Sequence, residues 1–358
     1  MVVRLKLDWP LLIGLLLLCV LSQVVLWSAG GENPRLLINQ LIRSMAAIAV
    51  LLVLAQVRPE SWSRWSPAIY AVGVVLLVLV LLVGYTGKGA QRWLDLGFMR
   101  FQPSEIMKLG VPMMVAWVLA RRRLPPDGLG LIFALTVLGI PALLILKQPD
   151  LGTAIMITLS GLIIVFLAGF AWRLIIGLGT LAVVAAPILF QFLHPYQQRR
   201  ILTLFDPWSD PLGAGYHTIQ SMIAIGAGGA QGKGWMQGSQ SQLEFIPERH
   251  TDFIFSVFSE EFGFVGVVVL LLLYAFVTAR GLYIAASAQD TYLRLLAGSI
   301  SMTFLFYVFV NIGMVSGMLP VVGVPLPMIS YGGTSMVTLM AGFGVLMSIH
   351  NHQRLMVR

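Results

Sequence analysis

Apolar residues come in long blocks along this chain, and runs of about 17 to 25 such residues cross a hydrocarbon core as helices. Ten blocks have that character, at about 9–28, 36–57, 66–85, 103–121, 128–147, 152–170, 173–193, 252–279, 293–317 and 331–349. The pattern predicts an all-α, polytopic membrane protein with about ten transmembrane helices. Residues 1–358 form a single membrane domain, with one large loop, 194–251, between the seventh and eighth helices. The first block follows Arg4 and Lys6 as a signal peptide would. It is too long for a signal-peptide core, and Trp27-Ser28-Ala29 is a poor cleavage site, so it is expected to remain as an anchor.

Composition agrees with the pattern. The chain is 58% hydrophobic and 11% charged, whereas a soluble domain carries roughly a quarter charged residues. So few charges cannot dress a water-facing surface. Cys19 stands alone in an apolar run, which excludes a disulfide framework and a cysteine metal site.

Lys and Arg set the orientation. With the N-terminus inside, the inner segments hold Arg4, Lys6, Arg58, Arg64, Arg121, Arg122, Arg123, Arg173, Arg280, Arg294, Arg354 and Arg358. The excess over the outer side is small until 194–251 is set aside, because long segments translocate regardless of charge. Both termini are then cytoplasmic. The net charge of +8 partly reflects this bias and implies no nucleic acid. Two outer segments are long, 86–102 and 194–251. The second carries turn signals at Asp206-Pro207-Trp208 and Asp210-Pro211, and an apolar stretch at about 215–227 suited to a short interfacial helix.

Ionisable groups at membrane depth are functional candidates by default. Asp252 lies where the large loop enters the eighth helix, and on a helix it shares a face with Ser256 and Ser259, with Glu260 near that face. A carboxylate partly out of water has a raised pKa, which suits a general base near neutral pH. Thr251 and Asp252 are also good N-caps, so the capping and catalytic readings both stand here. At the start of the fourth helix, after Gln102 and Pro103, Glu105 and Lys108 are three apart and can pair. Asp150, in Lys147-Gln148-Pro149-Asp150, suits a cap for the sixth helix, and Thr153 follows it. Ser330, Tyr331, Gly332 and Gly333 open the tenth helix, where exposed N–H groups could meet an anion or small residues could pack closely. Outer cations, among them Lys88, Arg92, Arg100, Arg199, Arg200, Lys233 and Arg249, suit a diphosphate ligand or anionic headgroups.

Several signatures fail. A P-loop would need glycine at Ala227 and Ser or Thr at Gly234, and there is no zincin His pair or G-x-S-x-G. His194, His217 and His250 are too scattered to indicate a metal. No internal repeat of the transporter kind is visible.

IPERHTDFIFSVFSEEFG at 246–263, with RWLDLG, FQPSEIMKL, KQPDLGTA, GKGWMQGSQSQL and VVGVPLPMISYGGTS, resembles the SEDS family of shape, elongation, division and sporulation proteins. Arg249 after Pro-Glu and the VGVPLPMISYGG form favour the rod-elongation branch over the division branch. The resemblance runs from the first helix to the last. It implies a ten-helix fold with both termini cytoplasmic, in the bacterial inner membrane. It also implies a peptidoglycan glycosyltransferase that polymerises lipid II on the outer face. The family's essential aspartate matches Asp252, and its Glu–Lys pair matches Glu105 and Lys108.

The implied reaction is a single inverting displacement. Asp252 takes the proton of the acceptor N-acetylglucosamine 4-hydroxyl as it attacks C1 of N-acetylmuramic acid on the nascent glycan strand, and undecaprenyl diphosphate leaves. Arg92, Lys108, Arg199, Lys233 and Arg249 are candidates to stabilise that diphosphate. Gln102, Asp150, His250, Thr251, Ser330, Tyr331 and Gly332 complete the candidate substrate site. A divalent cation, Mg2+ or Mn2+, could share the role, but no ligand set is legible. Implied partners are a class B penicillin-binding protein (a transpeptidase), MreC and MreD, besides membrane lipids. Two other readings compete: a lipid II flippase with Arg43, Glu260, Glu261 and Asn311 along a polar route, and a non-catalytic scaffold for the transpeptidase. A polymerase gathers its polar groups at the outer face, and that is where Asp252, Glu105, Asp150 and Ser330 fall. The resemblance also implies a polar outer cavity around Asp252, open to lipid.

Overall fold

The computed structural model describes residues 7–353, except 88–89, 96–99, 170–175, 178, 181–183, 186, 188–189, 192–194, 214, 244 and 247. Helices α1 (Trp9–Ala29), α2 (Pro34–Leu54), α3 (Pro59–Val83), α4 (Pro103–Ala120), α5 (Gly128–Lys147) and α6 (Leu151–Leu167) come first. Shorter helices α7 (Pro195–Phe205), α8 (Tyr216–Gly228) and α9 (Ser239–Gln242) occupy the large loop. The long helices α10 (Ile254–Ser287), α11 (Thr291–Val315) and α12 (Gly333–Gln353) complete the bundle. Among the described residues, seven helices are long and apolar enough to cross a membrane, and α6 is a shorter apolar one. The α4 helix adds 18 residues that carry Glu105 and Lys108. The protein is thus a polytopic all-α membrane protein, as the blocks predict. The expected span at 173–193 lies largely outside the described residues.

Three features differ from the sequence expectation. Residues 86–102 are not a plain loop: β1 (Tyr85–Gly87), β2 (Ala90–Asp95) and β3 (Arg100–Phe101) pair antiparallel in that order. The eighth expected helix begins at Ile254 rather than 252 and runs on to Ser287. That helix is also interrupted at Gly263, which has φ +62°.

A break at membrane depth frees backbone groups that hydrocarbon cannot satisfy. The loop after α8 satisfies them. Phe264 and Val265 donate to the carbonyls of Gly229 and Ala230 at 2.9 and 3.1 Å. In return, Lys233 and Gly234 donate to the carbonyls of Glu260 and Glu261, both at 3.0 Å. A Cβ at Gly263 would collide with the backbone nitrogen of Gly232, and its φ is one that only glycine adopts without penalty. We expect Gly263→Ala to lower the thermal midpoint of the purified protein, the left-handed backbone alone costing about 1–2 kcal/mol. An unchanged midpoint would show that the loop does not need this approach.

At the opposite end of the bundle a buried carboxylate ties three helices together. Asp8 caps α1 through Leu11 N at 3.0 Å and accepts Nε and Nη2 of Arg280 on α10 at 3.1 and 2.7 Å. Nε2 of His350 on α12 lies 3.4 Å away. Burial works to raise the Asp8 pKa. The hydrogen bonds from Arg280 and Leu11, with the charge of His350, outweigh it and hold the carboxyl below its usual value. A depressed folded-state pKa adds stability that is complete above the unfolded pKa of about 3.9 and is lost as pH falls through the folded value. Asp8→Asn should therefore cost about 3–5 kcal/mol at neutral pH, as when one partner of a buried pair is removed. The gap between wild type and variant should begin to close below about pH 4 and vanish as pH falls past the folded-state value. A gap that does not depend on pH would reject this account.

Candidate functional site

The region around Asp252 is built by four stretches of chain. They are the turn 248–253 ahead of α10, the segment 321–331 ahead of α12, which turns at 327–329, and the N-terminal ends of α4 and α6. Asn311, fully buried near the end of α11, joins the first two: its Nδ2 donates to Asp252 O at 2.9 Å and Val324 O at 2.7 Å. Ser330 Oγ donates to Thr251 O at 2.6 Å, and Tyr331 N donates to His250 O at 2.9 Å. The rings of His250 and Tyr331 meet edge-on at 6.0 Å, and the Arg43 guanidinium lies 4.4 Å from the other ring's centroid. His250, Thr251, Ser330 and Tyr331 thus form one frame, with Gly332 following it before α12 begins.

Asp252 itself is half-buried, neither in a sealed core nor on a bare surface. It does not cap the helix. The N-cap position belongs to Phe253, with no side-chain cap bond, and Thr251 Oγ1 instead bonds Glu248 O and Oε2 at 3.1 and 2.9 Å. The capping alternative for Thr251 and Asp252 is overturned because the helix starts after them. The expected shared face fails for the same reason. Ser256 and Ser259 donate to the carbonyls of Phe253 and Phe255. Gly323, with φ +73°, lies beside Asp252: an added Cβ would lie 3.4 Å from a carboxylate oxygen, in van der Waals contact. Gly323→Val puts two methyls beyond that Cβ and a β-branched residue in a left-handed backbone, so it should strain the turn and shift the carboxylate, lowering turnover at least about tenfold through misplacement at the reacting centre. Full activity of Gly323→Val would sink this account.

Glu105 and Lys108 form the expected pair, at 2.7 Å, with both side chains about nine-tenths buried. Thr338 Oγ1 of α12 donates to the other Glu105 oxygen at 3.0 Å. The Lys108 ammonium stands 5.6 Å from the Tyr307 ring centroid. Thr338 and Tyr307 carry no motif and escaped the sequence reading; polar residues at membrane depth opposite a known charge are the signal that would have found them. Lys108, Tyr307 and Thr338 border a small cavity of about 30 Å3 between α4, α11 and α12. That is room for about one water.

Asp150 caps α6 through Thr153 N at 3.2 Å and accepts Gln102 Nε2 at 3.2 Å, tying α4 to α6. Val322 reaches this corner too, because Gly152 packs directly on its carbonyl. The segment 322–324 thus bridges the Asp150 corner to Asp252. Arg92 donates to the carbonyls of Gln148 and Pro149 and stands 3.8 Å from Asp150.

The other candidate cations are placed differently. Lys233 is bound at 2.7 Å to Glu260, a fully buried carboxylate that also accepts Ser239 Oγ and the N–H groups of Gln240 and Ser241. Its contacts fasten the loop to α10. Arg249 donates to Ser241 O. Arg199 stands exposed on α7. Lys88 lies outside the described residues. Each residue of the flippase reading has a partner of its own: Glu261 binds Ser28, Glu260 binds Lys233, and Arg43 and Asn311 belong to the frame above. Among the described residues no three His, Cys, Asp or Glu side chains gather as a metal-binding group.

The chain is 52% identical over 355 residues to the peptidoglycan glycosyltransferase MrdB of Escherichia coli (strain K12), covering 99% of this chain and 96% of that protein. It is 39% identical over 317 residues to a probable peptidoglycan glycosyltransferase FtsW of Escherichia coli O6:H1, covering 86% of this chain and 75% of the relative. Its fold superposes on a chain from a peptidoglycan synthase complex that coordinates polymerization and crosslinking, with TM-score 0.85, 35% identity, and 98% and 99% coverage. It also superposes on the rod shape determining protein RodA of Thermus thermophilus, with TM-score 0.72, 30% identity and 98% coverage of both chains. The FtsW/RodA/SpoVE family model, described as a cell cycle protein, matches residues 3–355, and the chain belongs to that family.

Proposed function

We propose that this chain, a peptidoglycan glycosyltransferase like its 52% identical relative, polymerises lipid II into glycan strands during cell elongation and releases undecaprenyl diphosphate. The observation that carries the reading is the placement of Asp252. It is a half-buried carboxylate outside any helix, held by its own backbone carbonyl and backed by Gly323. A general base needs that combination of fixed position and access.

Asp252 removes the proton of the acceptor 4-hydroxyl as the oxygen attacks the anomeric carbon. One displacement converts an α-linked donor into β-linked glycan. Water is not the acceptor, so the two-carboxylate arrangement of glycosidases is not required. Lys108 and Arg249 are the cations we assign to the leaving diphosphate. Lys233 serves a buried carboxylate instead, and Arg92 holds the 148–150 turn. Glu105 holds Lys108 in place.

The site faces the outer side of the cytoplasmic membrane, with both termini in the cytoplasm. The bias of arginines toward the other end of the bundle, at Arg58, Arg64, Arg121, Arg122 and Arg294, supports that orientation. A class B penicillin-binding protein is the partner that crosslinks the product, within a complex holding MreC and MreD. The synthase complex among the structural neighbours supports the pairing of the two activities.

The test is polymerisation of lipid II by the purified protein in detergent, alone and with its transpeptidase. Glycan strands in either case support the reading. Their absence in both, with folded protein and intact lipid II, would leave only the scaffold role.

A further inference from the structure

At the end of the bundle opposite Asp252 there is a cavity of about 480 Å3. Along α4 it lies at Ala120 and Arg121, roughly 24 Å of helix beyond Glu105 at 1.5 Å per residue. It sits between the first turns of α3 and α11 and the last turns of α4, α10 and α12. Pro59, Ala120, Ala288 and Ile349 give it an apolar floor. Its polar lining is mixed in sign: Glu60 and Asp290 are acidic, and Arg64 and Arg121 are cationic. Nothing in the glycosyl transfer uses these groups.

The charges are available. Glu60, Arg64 and Arg121 make no ion pair among the described residues, and all three are exposed to the cavity mouth. Arg121 is held in place by the face of Trp117, 3.8 Å from the ring centroid, which leaves the N–H edge of the guanidinium open. Asp290 uses one carboxylate oxygen to cap α11 through Leu293 N at 3.1 Å. His352 gives its Nδ1–H to Ser348 O at 2.9 Å, so neutral His352 keeps Nε2 as an acceptor.

A pure anion in this cavity would meet two carboxylates, and a pure cation would meet two guanidiniums. The complementary ligand carries both charges. Planar guanidiniums recognise phosphate oxygens in pairs. Carboxylates and an imidazole acceptor suit an ammonium that still has N–H donors. Pockets between helix ends at a membrane surface recognise lipid headgroups, and this volume is within the range of small-ligand sites. We infer that this cavity is a phospholipid site that takes a phosphoethanolamine headgroup, with phosphate on Arg64 and Arg121 and ammonium on Glu60 and Asp290. A choline head fits less well because it has no N–H for the carboxylates. A glycerol head fits less well because it leaves both carboxylates without a cation.

The test uses the full chain, purified, delipidated and titrated with phosphatidylethanolamine, phosphatidylglycerol or phosphatidylcholine under native mass spectrometry. One phosphatidylethanolamine should be retained per protein, at least about tenfold more tightly than either other lipid. Arg64→Gln with Arg121→Gln should weaken it at least about tenfold, and Glu60→Gln should reduce the preference over phosphatidylglycerol. Thermal midpoints and monodispersity check the fold of each variant. Should the double Gln variant not fold, Arg64→Lys and Glu60→Gln tested singly give the same two readings, the first expected to weaken retention and the second to reduce preference.

Equal retention by wild type and variants would reduce the lipid to annular contact and overturn the site. Equal binding of the three lipids would overturn the charge assignment. Equally tight binding of soluble glycerophosphoethanolamine would replace the lipid with a free metabolite. A photo-crosslinker at Ser63 that captures a protein rather than lipid in native membranes would make the cavity a protein-docking site.

Discussion

Asp252→Asn is expected to abolish glycan polymerisation, by about a hundredfold or more, while the protein inserts, purifies and melts as wild type does. The amide keeps the size and hydrogen-bonding shape of the carboxylate but cannot take a proton. A folding effect is not expected from the side chain, because Asp252 anchors its turn through the backbone carbonyl that Asn311 holds, and the cap position is Phe253. The change should fall on the chemical step. Binding of lipid II should persist, so the turnover rate collapses while half-saturation changes little. Near-normal glycan synthesis by the Asn variant would end the assignment of Asp252 as base. Loss of thermal stability equal to the loss of activity would return the residue to a structural role. Asn311→Ala makes the contrast: it leaves the carboxylate in place but frees two buried carbonyls, Asp252 O and Val324 O, so it should damage both stability and activity.

The parts of this molecule that were legible in the sequence are those governed by local rules. The apolar blocks gave most of the long helices within a few residues, because only a helix satisfies its own backbone in lipid; the start of α3 at Pro59 and the end of α10 at Ser287 lie further out than their blocks at 66–85 and 252–279. The Glu105–Lys108 spacing gave the ion pair, because residues three apart share a helix face. Asp150 was legible as a cap for α6, and it is one. What failed depended on contacts between distant segments. The break at Gly263 is a bargain between α10 and the 229–234 loop, and a lone glycine inside an apolar helix does not announce it. Lys233 read as a free outer cation, yet Glu260 lies 27 positions away and takes it. Thr338 and Tyr307 matter only because α11 and α12 set them against α4. Ser256 and Ser259 were aligned with Asp252 on the assumption that the helix had already begun. A shift of two residues in its start removed the alignment.

The charge swap at the head of α4 should separate folding from chemistry. Lys108 is held by Glu105 at 2.7 Å, and both are nearly buried. Removing one partner leaves a charge that neither water nor lipid can serve. Glu105→Gln or Lys108→Met alone should cost about 3–5 kcal/mol, read as a lower thermal midpoint and poorer yield. The double variant Glu105→Lys with Lys108→Glu restores opposite charges at the same spacing, so part of that loss should return. Recovery cannot be complete. Thr338 now donates to Glu105 and would face a lysine, which has no lone pair to accept it. Lys108 would also be replaced beside Tyr307 by a carboxylate, which loses the attraction between a cation and the ring face. Activity should not return with stability, because a carboxylate at 108 would repel the developing charge on the diphosphate where an ammonium attracts it. Two results would sink this account. One is that both single variants are as stable as wild type, which would make the pair energetically idle. The other is that the swapped protein polymerises lipid II at the wild-type rate, which would confine Lys108 to holding α4 in place.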